Sequence, residues 1–459
     1  MNYKVKTILS TERFSIKSFY EQKALNRSNN YKKKMIDKNT LFRIFAEKED
    51  KFNLILIKRL CETQAIKYLE FKEILAITGV RRCGKTYLMY YLMQHLVSNN
   101  VSKKNILYLN FEDERLAFIE PTDLEKIYEW YLEFSNAKGK LYFFLDEIQN
   151  VPLWEKWLAR IFEKVKVVIS GSNTTLFSSK LATAISGRYV ELFLYPFSFE
   201  EYILYKDESL VEKKKAHLAE SSAKINNYLS EYIEFGGFPE VLLYKKKELL
   251  REYYKTILLK DVVSRYNLKY KEYIEKLSLY LLSNFCQPTS LYGLMKENPI
   301  GINTIKNYLD FIEKAFLLFF VFKFDYSLRK QHANPKKVYA IDVAMAREIS
   351  FKFSEDKGRI IENLVFLELK RKGIELYYHK KKQECDFVIK EGIKIKEAIQ
   401  ICYELNEENK KREITGLKEA MDYYKLNEGK IITYSQEEEL IIDKKRILVK
   451  PLWKWLLGI

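Results

Sequence analysis

ILAITGVRRCGKTYLM, residues 74 to 89, is the stretch whose reading decides the fold. An apolar, β-prone run leads into Gly79-Val80-Arg81-Arg82-Cys83-Gly84-Lys85-Thr86, and Tyr87 opens a series of helix formers. Strand, Gly-x-x-x-x-Gly-Lys-Thr and helix in that order make a phosphate-binding loop. Glycine at positions 79 and 84 lets backbone N–H groups close around phosphate oxygens, where a Cβ would stand in the way. Lys85 is then placed for the β- and γ-phosphates and Thr86 for Mg²⁺, while the start of the helix adds a favourable partial charge. A nucleotide site is the expectation.

A second strand, Leu141 to Leu145, ends in Asp146-Glu147. Behind such a loop, Asp146 is expected to hold the Mg²⁺ shell and Glu147 to polarise an attacking water, because phosphoryl transfer is mostly positioning and charge stabilisation. A solvated pair at a strand end is the alternative. A third strand, Val165 to Ser170, leads into Gly171-Ser172-Asn173-Thr174. A polar side chain just past that strand could sense the γ-phosphate or orient the water, with Asn173 the first candidate and Ser172 the next.

The succession TGVRRCGKT (78–86), LYFFLDEIQNVPLWEKWLARIFE (141–163), VVISGSNTTLFSSKLATAISGRYVELFLYPFSFEEY (167–202) and EFGGFPEVLL (234–243) resembles the prokaryotic AAA-type ATPases of the STAND and archaeal-ATPase neighbourhood. That resemblance spans nearly the whole chain after about residue 50, where periodic structure begins. It implies ATP as the nucleotide, ATP hydrolysis, and a nuclease-like C-terminal domain. It also places Arg188 in a Gly-Arg motif that faces nucleotide, where a fixed guanidinium suits charge spread over phosphoryl oxygens; a surface ion pair is the alternative. Gly236-Gly237-Phe238-Pro239 resembles a signature in which the region of Pro239 closes over the base.

Composition sets outer limits. A chain of 459 residues is expected to form more than one domain, at roughly 100 to 200 residues each. No run reaches the roughly 18 apolar residues of a membrane span, and the first residues lack an apolar signal region, so a cytoplasmic protein without a membrane partner is expected. Cys61, Cys83, Cys286, Cys385 and Cys402 form no CxxC pair, and His95, His217, His332 and His379 are scattered. A structural zinc or disulfide framework is therefore not expected.

The formal charge of +17 invites DNA as a partner, although lysine runs such as Lys380-Lys381-Lys382 are more often solvated faces. Residues 287 to 345 strengthen the case. They read as short helices, a turn at Pro299-Ile300-Gly301 and a two-stranded wing carrying Lys336, Lys337 and Tyr339, a winged helix-turn-helix pattern. Asn303 to Lys314 would be the recognition helix, with Thr304, Lys306 and Asn307 on its exposed half. The same fold can also serve only to pack against its neighbours.

Farther on, a helix bearing Glu362, a strand with Asp386 and a strand ending Gln400-Ile401-Cys402 resemble the PD-(D/E)xK nuclease core, a restriction-endonuclease-like α/β domain. Two acids holding Mg²⁺ and a lysine activating water are what that chemistry uses. Glu362, Asp386 and Gln400 form the candidate second metal site. Cys402 stands where the pattern asks for lysine, which argues against cleavage unless Lys394, Lys396 or Lys410 substitutes.

The expected class is α/β, with a basic extension (1–50), a parallel-sheet P-loop ATPase module (51–205), a helical lid (206–265), a winged helix (266–350) and the nuclease-like domain (351–459). An ATP-hydrolysing switch acting with DNA is the leading reading. An ATP-gated metal nuclease and a nucleotide-locked scaffold are the alternatives, and oligomeric state stays open.

Overall fold

The structure is a computed structural model that describes residues 37–172, 187–211, 219–297, 299–350 and 356–459. Five strands form its first sheet: β1 (Ile74–Thr78), β2 (Ile106–Asn110), β3 (Leu141–Asp146), β4 (Val165–Gly171) and β5 (Tyr189–Phe193). All run parallel, in the order β2-β3-β4-β1-β5. Every residue of β1 and β4 is buried. A parallel sheet of this kind needs helices on both faces, which is why its central strands are mostly apolar rather than alternating.

Those helices are α1 (Lys38–Ala46), α2 (Glu62–Glu70), α3 (Lys85–Ser98), α4 (Asp123–Ser135) and α5 (Trp154–Ile161). The Asp37 side chain caps α1 by accepting from the Thr40 N–H. Phe45 then packs edge-on against Tyr131 of α4, ring centroids 5.2 Å apart. The module boundary expected near residue 50 therefore falls inside a packed unit, because α1 covers the sheet. Most of the expected basic extension, residues 1–36, lies outside the described residues.

A helical run follows: α6 (Phe199–Lys206), α7 (Ala219–Phe235), α8 (Pro239–Tyr244), α9 (Glu248–Thr256) and a π-helical segment, Ile257–Ser264. Ser198 and Glu201 form a reciprocal capping box at the start of α6. Next come α10 (Lys271–Ser283), β6 (Pro288–Thr289), α11 (Leu291–Glu297), α12 (Ile302–Lys314), β7 (Leu318–Val321), α13 (Leu328–Ala333) and β8 (Lys336–Ala340), the strands forming a small antiparallel sheet ordered β6-β8-β7.

After α14 (Val343–Ile349) and α15 (Lys357–Arg371) lie β9 (Glu375–Lys380), β10 (Glu384–Glu391), β11 (Lys394–Ile401), α16 (Lys410–Tyr424), β12 (Glu428–Thr433), β13 (Glu438–Ile442), β14 (Lys445–Pro451) and α17 (Leu452–Leu457). Their mixed sheet is ordered β13-β14-β12-β11-β10-β9. The chain is thus α/β, with a P-loop NTPase type of parallel sheet, intervening helices and a separate mixed sheet at the C-terminus. Among the described residues no helix is long and apolar enough to cross a membrane.

These parts are not beads on a linker. One apolar core holds Leu75 of β1, Phe197, Leu250 of α9, Tyr339 of β8, Phe366 of α15 and Leu456 of α17. Tyr339 and Phe366 stack at 4.2 Å. Gly237 sits where the sheet, α7 and the later helices meet: a Cβ there would lie 2.5 Å from the Phe197 carbonyl oxygen. Gly237→Ala should therefore destabilise the protein by about 2 kcal/mol through overpacking. Thermal unfolding followed by circular dichroism would show it, and an unchanged midpoint would mean that this junction yields.

Candidate nucleotide site

β1 delivers the chain to a loop with left-handed backbone at Gly79 (φ 150°), Arg82 (φ 71°) and Gly84 (φ 105°). A Cβ on Gly79 would come within 2.2 Å of the Leu194 carbonyl oxygen, so only glycine fits at that turn. Gly84 starts α3, which puts Lys85 and Thr86 in its first turn. The buried Lys85 ammonium donates to the carbonyl oxygens of Gly79 (3.1 Å) and Val80 (3.3 Å), and Glu147 Oε1 lies 3.6 Å away. Thr86 Oγ1 donates to Asp146 Oδ2 at 2.7 Å.

Parallel pairing of β3 between β2 and β4 sets Asp146 and Glu147 beside this loop. Asp146 also accepts from the hydroxyls of Ser170 and, at 3.0 Å, Tyr108. Three hydroxyls thus aim one carboxylate. Burial, reinforced by the neighbouring Glu147 charge, pushes the Asp146 carboxyl above the ordinary carboxylate value. Burial also pushes Glu147 up, but the charges of Lys85 and Arg81 outweigh it and hold that carboxyl below its usual value. Glu147 has a left-handed backbone (φ 52°) and accepts from the Gln149 side chain. Gln149 Oε1 is itself buried without a hydrogen-bond partner.

Magnesium and a nucleotide fit these residues. Hydroxyl and carboxylate oxygens converge as a hard cation requires, and an unsatisfied buried acceptor stands beside them. The space is there too: a cavity of about 770 Å³ is lined by Lys85, Thr86, Asp146, Glu147, Leu54, Ile55 and Pro239, among others. Gly84, Arg81, Arg82 and Tyr87 also line it. Pro239, expected to close over the base, begins α8 on this wall. Cys83 is buried, and its carbonyl accepts from Arg59 at 3.1 Å.

Some expectations need correction. Arg188 does not face the nucleotide of its own chain. The register Ile74↔Tyr189 and Thr78↔Phe193 puts it at the end of the sheet opposite the loop, roughly 16 Å away at about 3.3 Å per residue. Its guanidinium lies over the Phe162 ring at 5.1 Å. Asn173 lies outside the described residues. Ser172 is buried and donates to Asp261 Oδ1 at 2.9 Å.

Asp261 was not foreseen. It comes from the π-helical segment and grips Arg81 of the loop through Nε (3.1 Å) and Nη2 (3.2 Å), while Glu112 takes Nη1 at 2.6 Å. Arg59 was missed as well. Buried, it pairs with Glu201 at 2.9 Å and lies over the Phe197 ring at 4.8 Å. Neither has a local motif, because each is defined by a partner more than a hundred residues away.

At the C-terminal sheet, Glu362 and Asp386 do come together, joined by Glu384, but around the ammonium of Lys337. Gln400 lines the same cavity as Glu362 and Asp386, but its polar atoms are engaged elsewhere: its amide donates to Glu413 at 2.7 Å, and its oxygen accepts from the Asp386 N–H at 3.4 Å. Among the described residues no group of three or more His, Cys, Asp or Glu is disposed to hold a metal. Lys396 and Lys410 pair with Glu391 and Glu438 instead of reaching this site, and Lys394 is exposed. Lys337 and Tyr339, expected on the DNA-facing wing, are buried.

A parallel sheet ordered 2-3-4-1-5, a glycine-rich loop before α3 and two acids at the tip of β3 define a P-loop ATPase of the AAA type. Residues 71–203 match the AAA domain family, and residues 226–356 match a domain of unknown function, which spans most of the expected lid and winged helix together. Over 446 residues the chain is 37% identical to an uncharacterized protein of Methanocaldococcus jannaschii, covering 92% of this chain and 96% of that one. It is 29% identical over 402 residues to an uncharacterized protein of Haemophilus influenzae, covering 85% and 96%. The Walker-type ATPase of Pyrococcus abyssi is similar with a TM-score of 0.43 at 15% identity, over 65% of this chain and 99% of that one. The chain belongs to the family of the Methanocaldococcus jannaschii protein, and its first sheet is an AAA-type ATPase domain.

Two outcomes follow from this geometry. Asp261→Ala leaves a largely buried guanidinium without its bidentate partner, so stability should fall by about 3 kcal/mol and nucleotide affinity with it; unaltered unfolding and affinity would show Arg81 to be held by Glu112 alone. Arg188→Ala should leave nucleotide affinity of the isolated chain within about twofold, as for a surface change. Fluorescent-nucleotide titration measures this, and a larger loss would return the guanidinium to the site of its own chain.

Proposed function

We propose that the protein is an ATP-binding and ATP-hydrolysing switch in the cytoplasm that acts with DNA. The observation that carries the nucleotide part is the convergence of Lys85, Thr86, Asp146 and Glu147 on one cavity. Bound ATP supplies the scissile phosphoanhydride, and Mg²⁺ neutralises charge on its phosphates. Thr86 and Asp146 would hold the metal shell, and the loop from Gly79 to Gly84 would hold the phosphates. Leu54, Ile55 and Pro239 offer an apolar wall to the base.

Lys85 now rests on two carbonyl oxygens and near Glu147. Phosphate oxygens are stronger acceptors for an ammonium than carbonyl oxygens, so ligand entry draws Lys85 away from Glu147. The freed carboxylate can then orient and deprotonate water. Binding thus arms the base. Arg188, remote from its own site and exposed, is available only to the site of a second copy.

The DNA part rests on the order helix, strand, helix, helix, strand, short helix, strand from α10 to β8, which is that of a winged helix with one added helix, α13, between its two wing strands. Asn303, Lys306 and Asn307 are exposed on α12. With Lys337 buried, contact falls to α12 and to Lys336, whose ammonium lies 4.3 Å from the Phe322 ring centroid. Phosphate contacts made by such side chains are sequence-tolerant.

Lys85→Ala should abolish hydrolysis and weaken ATP binding, whereas Glu147→Gln should keep binding and lower turnover by about a hundredfold or more. Phosphate release beside ATP titration separates the two, and full turnover by Glu147→Gln would remove the assigned base. DNA affinity should fall steeply with salt and drop in the Lys306→Glu, Lys336→Glu double variant. Equal affinity in that variant, by fluorescence anisotropy, would move the DNA surface elsewhere.

A further inference from the structure

Three acids near the C-terminal sheet converge on one cation, and that cation is a side chain. Lys337 Nζ lies 3.0 Å from Glu362 Oε1, 2.8 Å from Glu384 Oε1 and 2.8 Å from Asp386 Oδ1. Glu362 belongs to α15 and the other two acids to β10, whereas Lys337 enters from β8, a strand of a different sheet. Its side chain is 2% exposed.

An ammonium has three N–H donors, and here three carboxylates face it. Two further donors hold the acids in place. Glu362 Oε1 accepts from the Tyr339 hydroxyl at 2.7 Å, and Asp386 Oδ2 accepts from the Ile401 N–H at 2.9 Å. Mg²⁺ needs such oxygens at about 2.0–2.1 Å, drawn around the point that the ammonium fills. Lysine and metal therefore exclude one another. A lysine that activates water needs a donor to spare, and the three donors of Lys337 already face three carboxylates.

Access is not what keeps a metal out. A cavity of about 500 Å³ opens onto Glu362, Glu384 and Asp386, with Arg359, Asn406 and Arg412 also on its wall. We propose that Lys337 is the resident cation of the C-terminal carboxylate cluster, so that this site takes no divalent metal and instead clasps the β8 sheet to the C-terminal sheet. The proposal does not depend on the nucleotide reading.

Mn²⁺ titration of the full-length, nucleotide-free protein, read by electron paramagnetic resonance, tests this directly. Wild-type protein and Asp386→Asn should give the same isotherm, because the cluster contributes no Mn²⁺ site. Lys337→Met, which keeps the side-chain length and removes the charge, should gain a site at least about tenfold tighter than any in the wild type, lost again on adding Asp386→Asn. Wild-type binding that Asp386→Asn removes would overturn the proposal, and that comparison stands even if Lys337→Met fails to fold. A folded Lys337→Met protein without a new site would also overturn it, since the lysine would then not be what excludes the metal.

Discussion

Three residues after β5 are gripped by two guanidiniums, and much of the architecture hangs on that grip. From one side Arg59 donates to the Tyr195 carbonyl at 2.8 Å and, through its other terminal nitrogen, to the Cys83 carbonyl of the phosphate-binding loop. From the other side Arg371 of α15 donates to the carbonyls of Pro196 (3.2 Å) and Phe197 (3.1 Å). The Phe197 N–H in turn bonds the Gly237 carbonyl at 2.7 Å, and the Gly237 N–H bonds Asp342 at 2.6 Å. Arg371 Nε is already buried without a partner, so moving any of these groups would leave a further buried donor or acceptor unpaired. A wall of the nucleotide cavity and the helices leading into the C-terminal sheet therefore share one set of hydrogen bonds.

Packing across the chain also explains why a boundary such as the one expected near residue 50 is harder to read from the sequence than the elements on either side of it. Periodicity reports which face of a helix is apolar but not which neighbour covers it. Phe45 belongs to a stretch that reads as a polar, basic extension, yet its ring meets Tyr131. The phosphate-binding loop and the acids after β3 were legible because each is local: strand, turn and helix follow within a few residues, and their side chains need no distant partner to be recognised. Whether Arg188 serves the site of its own chain or that of another copy was not legible, for the opposite reason. Its motif is local, but which end of the sheet it occupies depends on the direction in which β5 pairs with β1, and that pairing is set by residues far apart in the chain.

The C-terminal cluster shows the same limit more sharply. Glu362 and Asp386 were legible as acids on suitable elements, and Cys402 as the departure from the lysine pattern. What the sequence could not reveal is that a lysine from β8, read as part of a solvent-facing wing, turns inward. Alternation along β8 would have given a hint only if the sheet's buried face were already known. Tyr339, two residues on, points to the same side, as the period of a strand requires, and its hydroxyl meets the same Glu362.

The two lysine–carboxylate sites of this chain make an instructive pair. Both ammoniums are buried and both lie next to acids, Lys85 beside the end of β3 and Lys337 between α15 and β10. Lys85 stands 3.6 Å from one carboxylate and otherwise leans on neutral carbonyls, so a triphosphate offers it stronger partners than it gives up. Lys337 has three carboxylates at 2.8 to 3.0 Å, and no neutral or singly charged ligand could replace them without leaving acids uncompensated in a buried setting. A lysine with weak partners belongs to a site that exchanges ligands. A lysine with saturated partners belongs to one that holds parts together, and the difference between the two is set by what the ammonium already touches rather than by the residue type.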